Sequence, residues 1–75
     1  MRFFFDIRDD LMFTPDAEGL ELASLAMAEH EAVKAAAALG ADLFPSNVSQ
    51  LTVTVRDGSR ALLEVEVRIS KRRLG

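Results

Sequence analysis

Residues 51–69 read Leu51-Thr52-Val53-Thr54-Val55-Arg56-Asp57-Gly58-Ser59-Arg60-Ala61-Leu62-Leu63-Glu64-Val65-Glu66-Val67-Arg68-Ile69. Leu51, Val53 and Val55 alternate with Thr52, Thr54 and Arg56. Ala61, Leu63, Val65, Val67 and Ile69 then alternate with Leu62, Glu64, Glu66 and Arg68. A repeat of two is the side-chain period of a β-strand. Asp57-Gly58 stands between the runs and signals a hairpin, because both residues tolerate positive φ. The stretch predicts a β-hairpin with one apolar and one polar face.

At the other end of the chain, residues 3–7 (Phe-Phe-Phe-Asp-Ile) predict a strand, since aromatic and β-branched residues favour extended backbone. Phe3, Phe5 and Ile7 fall on one face, and Arg2, Phe4, Asp6 and Arg8 on the other. Asp9-Asp10 marks a turn. Leu11, Met12 and Phe13 return as a short second strand, which Thr14-Pro15-Asp16 ends. Glu18-Gly19 marks another turn, after which Leu20 and Leu22 bring the chain back to the core.

Between these ends lies an alanine-rich stretch from Leu25 to Leu39. Ser24 precedes it as helix N-cap, without a capping box because the N3 residue is Met27. At 100° per residue, Leu25, Ala28, Ala32, Ala35, Ala36, Leu39 and Leu43 form one stripe. Small residues there let the helix approach a sheet closely. A second, weaker apolar flank joins Ala26, Val33 and Ala37. Gly40 is expected to stop the helix. The order β-β-α-β-β predicts a two-layer α+β domain over residues 1–70, a mostly antiparallel sheet with one helix on one face. Residues 71–75 form a basic tail. The expected core is Phe3, Phe5, Ile7, Leu11, Phe13, Leu20, Leu22, Leu25, Leu39, Leu43, Leu51, Val53, Val55, Leu63, Val65 and Val67. Phe4 and Leu62 are the apolar exceptions on the sheet's open face, where two such residues could seed a dimer.

With 75 residues there is room for one domain, and 49% hydrophobic residues at 28% charged is a globular composition. A chain this short buries only about 60% of the surface its unfolded form exposes. Small domains close that deficit with disulfides, a metal or a second subunit. Cysteine is absent, which removes disulfides, thiolate metal sites and thiol catalysis together. A homo-oligomer is the expectation that remains. The net charge of −3 divides unevenly: residues 1–70 carry 6 basic against 12 acidic side chains, a net of −6, while Lys71, Arg72 and Arg73 are basic. An acidic body repels phosphate, so nucleic acid is a poor partner. Asp6 ends the apolar N-terminal run at once, and no stretch has the length of a membrane span, so a cytosolic protein is expected.

Little here carries chemistry. His30 is the single imidazole and falls on the helix's polar side, near Lys34, with no second ligand at metal spacing. Asp6, Asp9, Asp10, Asp16 and Glu18 surround the first turns, but their spacing departs from the calcium-loop pattern. Asn47-Val48-Ser49 matches the glycosylation tripeptide, without a leader that would expose it to the machinery. No serine has a base available, and Lys34 has no apolar pocket. The inventory argues against an enzyme, a metal site or a cofactor.

The opening Met1-Arg2-Phe3-Phe4-Phe5-Asp6-Ile7-Arg8-Asp9 resembles the start of a family of short bacterial proteins of unknown function. Its members begin with an aromatic strand ending in Arg-Asp and continue with an Asp-x-Glu-Gly turn, here Asp16-Ala17-Glu18-Gly19. An apolar step follows, here Leu20-Glu21-Leu22, then an Ala-rich helix. A strand pair ends the pattern, here around 53–56 and 63–67. The resemblance covers nearly the whole chain, with Ser24 in place of the family's usual capping Asp, and it implies a fold without an activity. A looser similarity of architecture is to the HicB-type antitoxin fold. The expectation is a non-catalytic domain working by protein–protein contact as a homodimer, through Phe4, Leu62 and the Ala26–Val33–Ala37 flank. An antitoxin-like or nucleic-acid-associated regulator is the alternative.

Overall fold

The structure is a computed structural model that describes residues 1–45 and 48–75. Strand β1 (Arg2–Asp9) leads through two short strands, β2 (Phe13–Thr14) and β3 (Leu20–Glu21), to helix α1 (Leu25–Leu43). Strands β4 (Gln50–Asp57) and β5 (Arg60–Arg68) complete the chain. The sheet order is β2-β1-β4-β5, with β3 also on β1, and every pairing is antiparallel. The α+β class and the single helix on one sheet face agree with the sequence. The added strand is β3, where Arg2 meets Glu21 and Phe3 meets Leu20.

Register explains the two faces. Phe5 lies opposite Val55 and Ile7 opposite Val53, while Val53 and Val55 face Val65 and Leu63 on the other side. These side chains share the face that α1 covers. Phe3, Leu51, Val53 and Val55 are fully buried, as are Ala28, Ala32 and Ala36 of the helix. Three methyl-sized side chains on one stripe let the helix sit close over β4 and β5, so the bulk comes from the sheet. Ser24 caps the helix: its Oγ accepts the Met27 N–H at 3.2 Å, with extended backbone at φ −154°.

Four departures from the sequence reading have physical causes. Helix α1 runs past Gly40 to Leu43, and Gly40 is buried inside it. A Cβ there would stand 3.0 Å from the Phe44 ring, so this glycine makes room for an aromatic instead of ending a helix. Phe44, with Val48, belongs to the core. Leu11, Phe13, Leu20 and Leu25, expected in the core, are exposed at 77%, 51%, 44% and 41%. The helix covers β4 and β5, so Leu20 at the far edge of β1 lies outside its shadow, Phe13 stands opposite Arg8 on the open face, and Leu25 begins the helix itself. The hairpin turn is Gly58-Ser59, one residue later than expected, because Asp57 pairs with Arg60. Gly58 alone takes positive φ (59°), as a type II′ turn requires at its first central position.

The fourth departure matters most. Val55 faces Leu63 but Arg56 faces Ala61, so Leu62 is an extra residue in β5, a β-bulge. The bulge reverses the expected alternation at its end of the strand. Ala61 joins Arg56 on the open face, and Leu62 packs against the core beside Leu63. The expected meeting of Leu62 with Phe4 on the open face does not occur.

Candidate interaction surface

The open face of the sheet is held by one arginine. Phe4 and Arg56 are cross-strand partners, and the Arg56 guanidinium lies 4.6 Å from the Phe4 ring centroid. Arg56 Nε donates to Asp6 Oδ2 at 2.7 Å, and its terminal nitrogens donate to the carbonyls of Asp16 and Gly58. Asp6 is 7% exposed although it belongs to the open face, because Arg56 and the 15–19 turn close over it. Its Oδ1 accepts the Asp16 N–H at 2.8 Å. Burial pushes the Asp6 carboxyl up, but the Arg56 hydrogen bond, the Asp16 N–H and the Arg56 charge together hold it below its ordinary value. Phe4 is therefore covered from two sides, by Arg56 and by Gly19. A Cβ on Gly19 would stand 2.9 Å from Phe4 Cε1.

The acidic residues of the first turns serve the backbone. Asp9 Oδ1 accepts the N–H groups of Leu11 and Met12, both at 2.8 Å. Asp10 Oδ2 accepts from the Ser49 N–H and hydroxyl, tying the first turn to the entry of β4. Those two bonds lower the Asp10 pKa. Asp16 Oδ1 accepts from Glu18 and Gly19, and its Oδ2 accepts the Phe5 N–H at 3.1 Å. Among the described residues, no three such groups converge where an ion could sit. His30 is exposed on the helix.

The Phe5 contact bears on the sheet's edges. Phe5 N–H points away from β4, toward the outer edge of β1. The two-residue strands β3 and β2 pair with opposite ends of that edge, at Arg2–Phe3 and Ile7–Arg8. The Asp16 carboxylate takes the donor between them, doing what a neighbouring strand's carbonyl would do. The outward N–H donors of this edge are thereby taken.

The other edge is β5, nine residues long, and among the described residues its one strand partner is β4. Ile69 donates its N–H to Ser49 O at 3.0 Å. In an antiparallel ladder the residues two apart from it, Val67, Val65 and Leu63, also turn their backbone groups to β4. Glu64, Glu66 and Arg68 therefore direct N–H and C=O outward. On the helix flank foreseen in the sequence, Ala26 and Ala37 are exposed and Val33 is 50% exposed. Ala37 and Ala41 form, with Phe44, Val67 and Ile69, an apolar groove of about 450 Å³ beside the end of β5. Lys71 borders it and donates from Nζ to Phe44 O at 2.6 Å, so the basic tail begins against the helix C-terminus.

Of the Ala26–Val33–Ala37 flank, the structure sets Ala37 at the groove beside β5. It sets Phe4 under Arg56 and Leu62 against the core, apart from each other. The free edge of β5 was missed in the sequence, where pairing partners are invisible. Among the described residues, no helix is long and apolar enough to cross a membrane.

Residues 2–68 match the sequence model of a family described as Domain of unknown function (DUF6894), and the chain belongs to that family. No curated protein and no solved structure matches it.

Proposed function

We propose that this chain is a small, non-catalytic protein–protein interaction domain that acts as a homodimer through the outer edge of β5 and the adjoining flank of α1. The observation that carries this reading is the contrast between the two edges of one sheet. On β1, two short strands and the Asp16 carboxylate take the outward N–H donors. On β5, the longest strand, those groups have no strand partner among the described residues. Unpaired edges are templates for another strand, and natural domains usually blunt them. The groups that could otherwise suggest chemistry, Asp6, Asp16 and Arg56, are committed to each other and to backbone.

Proline scanning of β5 tests the reading. Glu66 N–H points outward, so Glu66→Pro removes an edge donor and leaves the β4 ladder its bonds. The expected result is a folded monomer by circular dichroism and sedimentation equilibrium, against a dimeric wild type. A wild type that remains monomeric at millimolar concentration overturns the proposal, as does a dimer unaffected by Glu66→Pro.

A further inference from the structure

Resting on that reading, we infer that the partner is a second copy paired antiparallel to β5 with Glu66 on the twofold axis, so that Glu64 of each copy faces Arg68 of the other.

The regular part of the free edge sets the register. The bulge at Leu62 interrupts the ladder at one end, and β5 stops at Arg68 at the other. Between them the outward backbone groups belong to Glu64, Glu66 and Arg68. A pairing centred on Glu66 uses all three on both copies, about six backbone hydrogen bonds. Centring on Val65 drives Arg68 against the bulge, and centring on Val67 leaves Glu64 with no strand residue opposite.

Charge rules out the Val65 centre, and strand length rules out the Val67 centre, which would itself set Glu66 against Arg68 twice. On the open face, centring on Glu66 creates two Glu64–Arg68 pairs, related by symmetry, and one Glu66–Glu66 contact at the axis. Centring on Val65 instead sets Glu64 against Glu66 twice. Opposite charges directly across a strand pair stabilise it and like charges oppose it. In the isolated chain Arg68 contacts its own Glu66, and its side chain is 73% exposed, free to turn outward.

The helices fit this arrangement. Helix α1 lies over β4 and β5. The twofold axis places the partner's helix over its own β5 and β4, two strand spacings away, or about 10 Å. Packed helices stand 8–10 Å apart. The flanks brought face to face carry Ala26, Val33, Ala37 and Ala41, with His30 on the same stripe between Ala26 and Val33. Val65, Val67 and Ile69, half-buried or exposed in the single chain, are covered beneath them. The product is a continuous sheet with two antiparallel helices on one face.

The chain has no cysteine, so single cysteines report register directly. Glu64→Cys, Glu66→Cys and Arg68→Cys are purified separately, mildly oxidised and analysed for covalent dimer. Only residue 66 meets its own copy, at a Cα separation of about 5.5 Å, within disulfide reach. Residue 64 lies about 13 Å from its copy. Covalent dimer from Glu66→Cys alone is the expected result. In parallel, Glu64→Arg and Arg68→Glu each weaken the dimer about tenfold at low salt, and the double swap restores it. Glu66→Gln tightens it. If the wild type dimerises but Glu64→Cys or Arg68→Cys forms the covalent dimer, or Glu64→Arg changes nothing, the register is wrong and the homodimer stands. If the wild type is monomeric, both fall.

Discussion

Asp6→Asn isolates the interaction that binds the open face together. The substitution keeps the shape of the side chain, and the amide oxygen can still accept the Asp16 N–H, now at 2.8 Å. What it removes is the acceptor for Arg56 Nε at 2.7 Å, and it sets an amide donor against that donor. Hydrogen bonds to charged groups contribute about 1.5–3 kcal/mol, and the pair sits where water is mostly excluded. For a domain of this size that loss lowers Tm by roughly 6–24 °C, measured at one fixed protein concentration. The pH dependence gives the sharper check. The native Asp6 carboxyl is held below its ordinary value, so the unfolded chain takes up its proton first as pH falls. The stabilisation is fully present above the unfolded pKa and is lost as pH drops through the native one. The wild type–Asn difference should stay constant from pH 8 to pH 5 and shrink below about pH 4. Urea denaturation at pH 7, 5, 3.5 and 2.5 reads this out. A difference under about 0.5 kcal/mol at pH 7, or one that persists unchanged to pH 2.5, refutes the assignment of Asp6 as an ionised, Arg56-paired carboxylate.

Two glycines with positive φ should respond differently to a methyl group. Gly58→Ala adds a Cβ to open space and costs about 1–2 kcal/mol for the left-handed backbone alone. Gly19→Ala adds that cost to contacts at 2.9 Å with Phe3 O and Phe4 Cε1, so chemical denaturation should show a clearly larger loss at Gly19. Ser24→Ala removes the acceptor for Met27 N–H and should cost about 1 kcal/mol, recovered in good part by Ser24→Asp. Ser49→Ala deletes one of two hydrogen bonds to Asp10, so carboxyl-carbon NMR titration should place the Asp10 pKa higher than in the wild type.

The hairpin and the first strand were legible because their information is local. Alternation assigned Phe3, Val53 and Val55 to one face, and the structure buries all three completely. The helix stripe Ala28–Ala32–Ala36 was legible for the same reason, with a period of 3.6 in place of two. Misreadings arose where a residue's role depends on a distant neighbour. Gly40 has the profile of a helix stop, and only the Phe44 ring against it shows why it belongs inside. Phe13 has the profile of a core residue, but it lies opposite Arg8 on the open face and takes the Arg8 guanidinium at 4.7 Å. One local signal was present and unused: Leu62-Leu63 places two apolar residues side by side in an otherwise alternating strand, which is what a bulge does to a pattern. Asp16 offered no such signal. Its carboxylate finds Phe5 N–H eleven residues back in the chain, and turn chemistry alone could not distinguish that from an ordinary loop aspartate.

The edges of the sheet tie these particulars together. The segment between β1 and α1 is long for a connection in so small a domain, and its polar atoms go largely to β1 or to the turn itself. Arg2 reaches Glu18 O, Asp16 reaches Phe5, and Asp6 reaches Asp16. That segment is an edge cover, and it leaves the outer donors of β1 occupied. On β5 the stretch 64–68 contains no proline, no bulge and no inward-facing charge, the usual means of blunting an edge. What it carries is Glu64, Glu66 and Arg68 on the open face. Charges alone do not block strand pairing; they discriminate among registers. In the pairing proposed above, this sequence opposes unlike charges twice, whereas a shift of the centre to Val65 opposes like charges twice. The side chains that keep β5 from indiscriminate association are then the ones that choose its partner. A basic strand from another protein would satisfy Glu64 and Glu66 but meet Arg68 with repulsion, which favours a second copy of the same edge.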